Sequence, residues 1–199
     1  MVELDHSASG IETLDEFRAE NPQAGPDEFD SLDFQGTKRT VKALLNTDQG
    51  TLCAYCERKL AAEDGDIDHI KPRRGPGGRS DLTFDYTNLA QSCSDKNSCG
   101  SKKKSNLLPI EPRPGCNEHF WLSTDGSINA VGTTTAQRRP AAQTLEILGL
   151  NQNPKLHLDR SVWTTDALKI LELRGEEAFR LFINKTPYRL ILGRLVSRG

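Results

Sequence analysis

The chain has 199 residues, 35% of them hydrophobic and 27% charged, with a formal net charge of −2. That suffices for one medium domain with a modest core, and it excludes indiscriminate nucleic-acid binding through bulk charge. No apolar run approaches the roughly 18 residues that read as a bilayer span. The acidic start MVELDHSASGIETLDEF has neither the basic nor the apolar region of a signal peptide. The expectation is a cytoplasmic protein with reduced thiols and no membrane partner.

Charge is unevenly spread. Residues 1–33 carry ten acids and one base, residues 68–104 eight bases and four acids, and residues 134–199 eleven bases and six acids. The first stretch also holds Gly10, Pro22, Gly25 and Pro26 and few large apolar side chains. It reads as a loosely packed acidic arm with a short helix over 11–19, capped by Ser9. From Phe34 the pattern changes. Val41, Leu44 and Leu45 recur at helical spacing and predict a helix over 37–47, ended by Gln49-Gly50. It delivers the chain to Cys53-Ala-Tyr-Cys56.

Residues 65–70 are brief and precede Pro72, which suits a strand ending in a loop. Residues 73–81, RRGPGGRSD, form an exposed loop in which three glycines and a proline remove regular structure. Asn88-Leu89 leads to Cys93 and Cys99, followed by a run of three lysines expected on a short helix. Residues 109–116 are too proline-rich for helix. Asp125-Gly126 is a turn dipeptide between residues 119–122 and 127–131, a β-hairpin signal. Beyond Thr133 the chain reads as helical, with Trp163, Ala167, Ile170 and Leu171 as an apolar stripe and Leu181, Phe182, Leu190, Ile191 and Leu195 continuing it, most of them core. The organisation expected is an acidic arm (1–33), a core built around the cysteine pairs with its following hairpin (34–132) and a helical extension (133–199). The fold class is α+β.

Two cysteine pairs bracket an acid, an imidazole and an amide. Structural zinc takes four tetrahedral thiolate or imidazole ligands, usually as two close pairs. Cys53 and Cys56 have that spacing, and Cys93 and Cys99 supply a wider second pair. The competing interpretation is one redox-active Cys-x-x-Cys and two unrelated thiols, but no βαβ unit surrounds it. Cys116 is left over, as a buried side chain or a replacement ligand. Asp68-His69 is the reactive candidate: an imidazole takes a proton near neutral pH, and a neighbouring carboxylate can hold a divalent ion that polarises a phosphate.

The order Cys-x2-Cys, Asp-His-x-x-Pro, Asn-Leu, Cys, Cys-Gly-x-x-Lys resembles the HNH endonucleases, whose site is a ββα-metal fold. The resemblance implies His69 as general base, Asp68 as ligand of a catalytic Mg2+ or Mn2+, Asn88 as the brace of the loop holding His69, and the four cysteines as a structural Zn2+ site. Lys103 fits the lysine that follows the motif and would neutralise the scissile phosphate. Arg73, Arg74, Lys102 and Lys104 are further candidates for nucleic-acid contact, although Lys102 and Lys104 also read as a solvated run. Cys-Ala-Tyr-Cys-Glu, Ser-Cys-Gly-x-Lys-Lys, Asp-Gly-x-Ile and Ile-Leu-Gly-Leu-Asn are similar to a defence-associated branch. Its members are the nuclease partners of an ATPase in Septu and some retron antiphage modules. Cleavage of DNA, with RNA as the other substrate, and an ATPase partner are therefore implied. Many HNH sites place a histidine or asparagine after the last cysteine as second metal ligand, and this chain has Gly100. His119, on the expected hairpin, is poorly placed to replace it. That departure leaves a second class open: a zinc module that binds nucleic acid or a protein without cutting.

Overall fold

The computed structural model describes residues 1–196. Helix α1 (Ala8–Glu20) packs on helix α2 (Gln35–Asp48), whose 3.6-residue period buries Val41 and Leu45. The chain then turns through the first cysteine pair, closed by Cys53 N–H donating to the Arg58 carbonyl (2.9 Å) and Glu57 N–H to the Cys53 carbonyl (3.0 Å). Strand β1 (Asp66–His69) pairs antiparallel with strand β2 (Leu89–Ser92), with Asp68 opposite Ala90 and His69 opposite Leu89. Helix α3 (Cys99–Lys103) follows after a six-residue loop that starts with Cys93. These three pieces are the ββα core; the sequence predicts the first strand and a short helix at the lysine run, while β2 follows Asn88 where the sequence reads only as a link to the second cysteine pair.

Buried amides fix this core to α2. Asn46 donates to the Gln91 side-chain oxygen (2.7 Å), and Gln49 accepts from Gln91 N–H (2.6 Å) while donating to its carbonyl (2.9 Å). Such a network specifies one register, because slipping β2 by a residue would leave these buried groups unpaired.

The second half begins with the predicted hairpin, β3 (Phe120–Leu122) and β4 (Ile128–Ala130). Helix α4 (Thr135–Leu148) opens on a capping box between Thr134 and Gln137 and ends at Gly149, in the left-handed region at φ 63°. Helix α5 (Pro154–Ile183) starts from an Asn153 cap and breaks at Gly175 (φ 79°). Helix α6 (Arg189–Gly193) closes the fold. No helix among the described residues is long and apolar enough to cross a membrane.

Two expectations are corrected. The arm is not loosely packed. Val2 and Leu4 are buried, with Val2 N–H on the Ala54 carbonyl (2.8 Å). Helix α1 begins at Ala8, with Ser7 rather than Ser9 at its cap position and no side-chain cap bond, and it lays Gly10 against the Tyr86 ring. The arm's few large side chains, Leu14, Phe17 and Phe29, converge with Phe34 and Phe84 on one aromatic cluster. Placement, not average composition, decides packing. In the tail, Ala167, Phe179, Ile183, Ile191 and Leu192 join the core that also contains the cysteines. Leu181 does not: with Leu158, Val162 and Leu173 it is exposed on α5.

Candidate catalytic pocket and metal centre

Cys53, Cys56, Cys93 and Cys99 are all buried, and their sulfurs lie within 4.8 Å of one another. The Cys56 and Cys93 sulfurs are 3.9 Å apart. A tetrahedron with metal–sulfur bonds of about 2.3 Å has sulfur–sulfur edges of about 3.8 Å, so the donor set fits a metal such as zinc. The thiols themselves ask for a cation. Hydrogen bonds from Cys53, Cys56 and Cys99 hold the Cys93 thiol far below its usual range, while its neighbours' sulfurs push Cys56 and Cys99 up. Among the described residues this is the one group of three or more such ligands. Cys116 stays outside it, buried, its pKa raised to about 11 by desolvation.

Strand β1 carries Asp68 and His69 to one end of a cavity of about 300 Å³, lined also by Pro72, Arg73, Arg74, Lys104 and Ser105. His69 is buried, and its Nε2 lies 2.9 Å from the Thr83 carbonyl. A carbonyl only accepts, so Nε2 carries the proton and the neutral ring keeps its lone pair on Nδ1. Desolvation lowers the His69 pKa to about 4, against the opposing pull of the Thr83 bond. At neutral pH the imidazole is therefore a free base.

Asn88 braces this arrangement. Its side chain accepts from Lys71 N–H (2.8 Å) and donates to the Lys71 (3.0 Å) and Leu82 (3.3 Å) carbonyls. It thereby joins the chain leaving β1 to the segment whose next carbonyl, at Thr83, orients His69.

Asp68 sits in a cage of donors. The Tyr55 hydroxyl donates to it, and the Lys103 ammonium lies 3.1 Å away. Burial raises its pKa, against the lowering pull of Lys103 and Tyr55. Lys103 departs from expectation: it is fully buried and donates to the His69 carbonyl (2.7 Å) as well. Its ammonium neutralises Asp68 inside the protein rather than meeting a phosphate. Lys102 turns to the Gln152 side chain. Lys104 alone of the three lines the pocket. Arg73 and Arg74 also line it, but their guanidiniums are held by the arm: Arg73 by the Pro26 carbonyl and Asp30, Arg74 by Asp27.

Gly100 has a structural reason. A Cβ there would lie 2.9 Å from Ser92 Oγ and 3.3 Å from Asp68 Cβ, and Gly100 N–H donates to that same Ser92 oxygen (2.9 Å). A side chain here would crowd Ser92 and Asp68, and the glycine that fits supplies no second ligand. A magnesium-like ion commonly uses one or two carboxylates, several waters and substrate phosphate. Asp68 at the pocket wall fits such a minimal donor set. His119 is on the exposed surface beside β3, away from this group.

Tyr55 was not singled out by sequence, though a tyrosine between two metal ligands must bury its ring and find its hydroxyl a partner. Thr83 acts through its backbone and leaves no signal in residue type. Phe29, whose ring centroid is 4.5 Å from that of His69, belongs to the arm and lies 40 positions before His69 in sequence but beside it in space.

No family model matches the sequence. A curated protein of Vibrio cholerae serotype O1 biovar El Tor, "Retron Vc95 putative HNH endonuclease", is 36% identical over 204 aligned residues, covering 98% of this chain and 99% of the relative. With the ββα core, the four clustered thiols and the Asp68-His69 pocket beside it, that similarity places the chain in the HNH endonuclease family.

Proposed function

We propose that this endonuclease cuts DNA in preference to RNA, through a divalent ion at Asp68, and serves as the nuclease of a retron- or Septu-type antiphage module alongside an ATPase. The observation that carries the chemistry is His69 in its pocket, with Nε2 committed to the Thr83 carbonyl and Nδ1 left as a base. His69 accepts the proton of the attacking water. Asn88 keeps the Thr83 segment in register, and Tyr55 and Lys103 fix Asp68. Arg73, Arg74 and Lys104 meet the nucleic-acid backbone, which an HNH core reads in place of bases. Mg2+ or Mn2+ held by Asp68 would supply the positive charge that stabilises the leaving oxygen. Zn2+ in the four-thiolate site would staple the core. The products are 5′-phosphate and 3′-hydroxyl ends.

The exposed apolar residues of α5, Leu158, Val162, Leu173 and Leu181, support the tail as the surface that docks the ATPase. The retron relative supports the defence setting. The test is cleavage of plasmid DNA and of total RNA by the purified chain with and without Mg2+ or Mn2+, beside His69→Ala. Metal-dependent DNA cutting that falls by about 10²–10⁴-fold in the variant is expected. Undiminished cutting by His69→Ala would remove the base from this assignment.

A further inference from the structure

The acidic arm, whose charge would repel a nucleic-acid backbone, reaches the arginines of the catalytic pocket. Its residues 26–30 contact the arginines that line it. Arg73 donates to the Pro26 carbonyl and to Asp30, and Arg74 donates to Asp27. Lys38 adds a second cation to Asp30 at 2.9 Å. Between the two acids Phe29 is 1% exposed, its ring beside His69, with Lys38 4.8 Å and Arg73 5.1 Å from its centroid.

The two kinds of contact differ in how easily they give way. Phe29 is locked among Phe17, Phe34 and Phe84 and stays in place. The acids are at the surface: Asp27 and Arg74 are 88% and 54% exposed, and Asp30 and Arg73 are 55% and 21% exposed. Exposed pairs of this kind are individually weak and screened by salt. A phosphodiester offers the same guanidiniums two acceptor oxygens and can take the carboxylate's place. Asp30 is charged whenever it competes: burial pushes its pKa up, but the Lys38 and Arg73 hydrogen bonds bring it down to about 2.

We infer that Asp27 and Asp30 occupy the phosphate positions of the pocket and compete with substrate for Arg73 and Arg74, so that they set how tightly this nuclease holds nucleic acid. This rests on the reading of the His69 pocket as the substrate site. Phe29 anchors the segment, and the two carboxylates exchange with backbone phosphates around it. A substrate must present enough charge to displace both, which favours a continuous polyanion over a mononucleotide.

The experiment uses the full chain carrying His69→Ala, so that bound substrate survives, and a short single-stranded DNA oligonucleotide of mixed sequence together with its duplex. Affinity is measured over a range of salt for that protein alone, with Asp27→Asn and Asp30→Asn added, and with Glu12→Gln and Asp15→Asn added instead. The last pair makes the same change in net charge elsewhere on the arm. Removing the competing acids should tighten binding about tenfold or more, roughly threefold to fivefold for each surface pair, and steepen its salt dependence, as more counterions are released when both arginines meet phosphate. The Glu12 and Asp15 changes should alter affinity less than twofold. Equal tightening by both pairs would reduce the effect to bulk charge, and unchanged or weaker binding on removing Asp27 and Asp30 would make them supports of the arginines; either result overturns the inference. Binding of neither DNA by the His69→Ala protein at low salt would instead bring down the nuclease reading on which it stands.

Discussion

The pocket has two walls of opposite character. On one side, Asp68 and His69 are fixed by buried partners: Tyr55, Lys103, the Thr83 carbonyl and, behind them, the four thiols. On the other, Arg73 and Arg74 are held by exposed carboxylates of a segment anchored through Phe29. Low-dielectric contacts on the first wall make misplacement expensive, as unpaired buried polar groups are. Water and salt weaken those on the second. On the proposed reading, the groups assigned to chemistry are locked, and the groups assigned to exchange one anion for another are left negotiable.

Breaking the locked wall at its base should have the largest effect. Replacing Cys93 by alanine, or stripping the metal with a chelator, should remove an interaction on the order of 10 kcal/mol and leave the ββα core unfolded. Elemental analysis with far-ultraviolet circular dichroism checks this, and Cys116→Ala, outside the cluster, should keep its metal.

A smaller effect comes from acid. His69 has a folded pKa of about 4, below its unfolded 6.5, so the unfolded chain binds the extra proton first. Its contribution to stability is complete above pH 6.5, begins to fall as acid is added, and is lost by about pH 4, a total on the order of 3 kcal/mol. Denaturant midpoints of wild type and His69→Gln should therefore converge or cross between neutral and acid pH. Parallel curves would show that burial does not hold the ring neutral.

Tyr55→Phe keeps the buried ring and deletes only the donor to Asp68. A hydrogen bond to a charged group is worth about 1.5–3 kcal/mol; cleavage should drop by roughly tenfold or more while metal content stays at the wild-type level. On the negotiable wall, Asp27→Asn should change the unfolding free energy by less than about 1 kcal/mol. A larger shift would move that pair to the locked side.

The locked wall was largely legible in the sequence, and the other was not. Cys53, Cys56, Cys93 and Cys99 announce themselves by spacing, and Asp68-His69 and Asn88 by order along the chain. The 3.6 period of Val41 and Leu45 and the Asp125-Gly126 turn are likewise local signals. Lys103 misled because a lysine in a run of three looks solvated or substrate-facing; only the packing of a five-residue helix on β1 and β2 shows the middle one to be internal. Gly100 looked like a missing ligand and proved to be a point of close approach. The arm's fit escaped because Phe29 meets His69 across 40 positions of sequence, and composition averages over such encounters.

The position of the reactive strand between the two cysteine pairs bears on the order of events after synthesis. Cys56 and Cys93 are 37 residues apart, and β1, the arginine loop and Asn88 all lie in that interval. Closing such a loop without a cross-link carries an entropic penalty that grows with the logarithm of its length. An ion captured by the four thiolates would close it and bring His69, Asp68 and Asn88 into register in one event. A chain still waiting for its ion would hold these residues without the assembled pocket, so metal loading would act as the maturation step that separates making this nuclease from arming it.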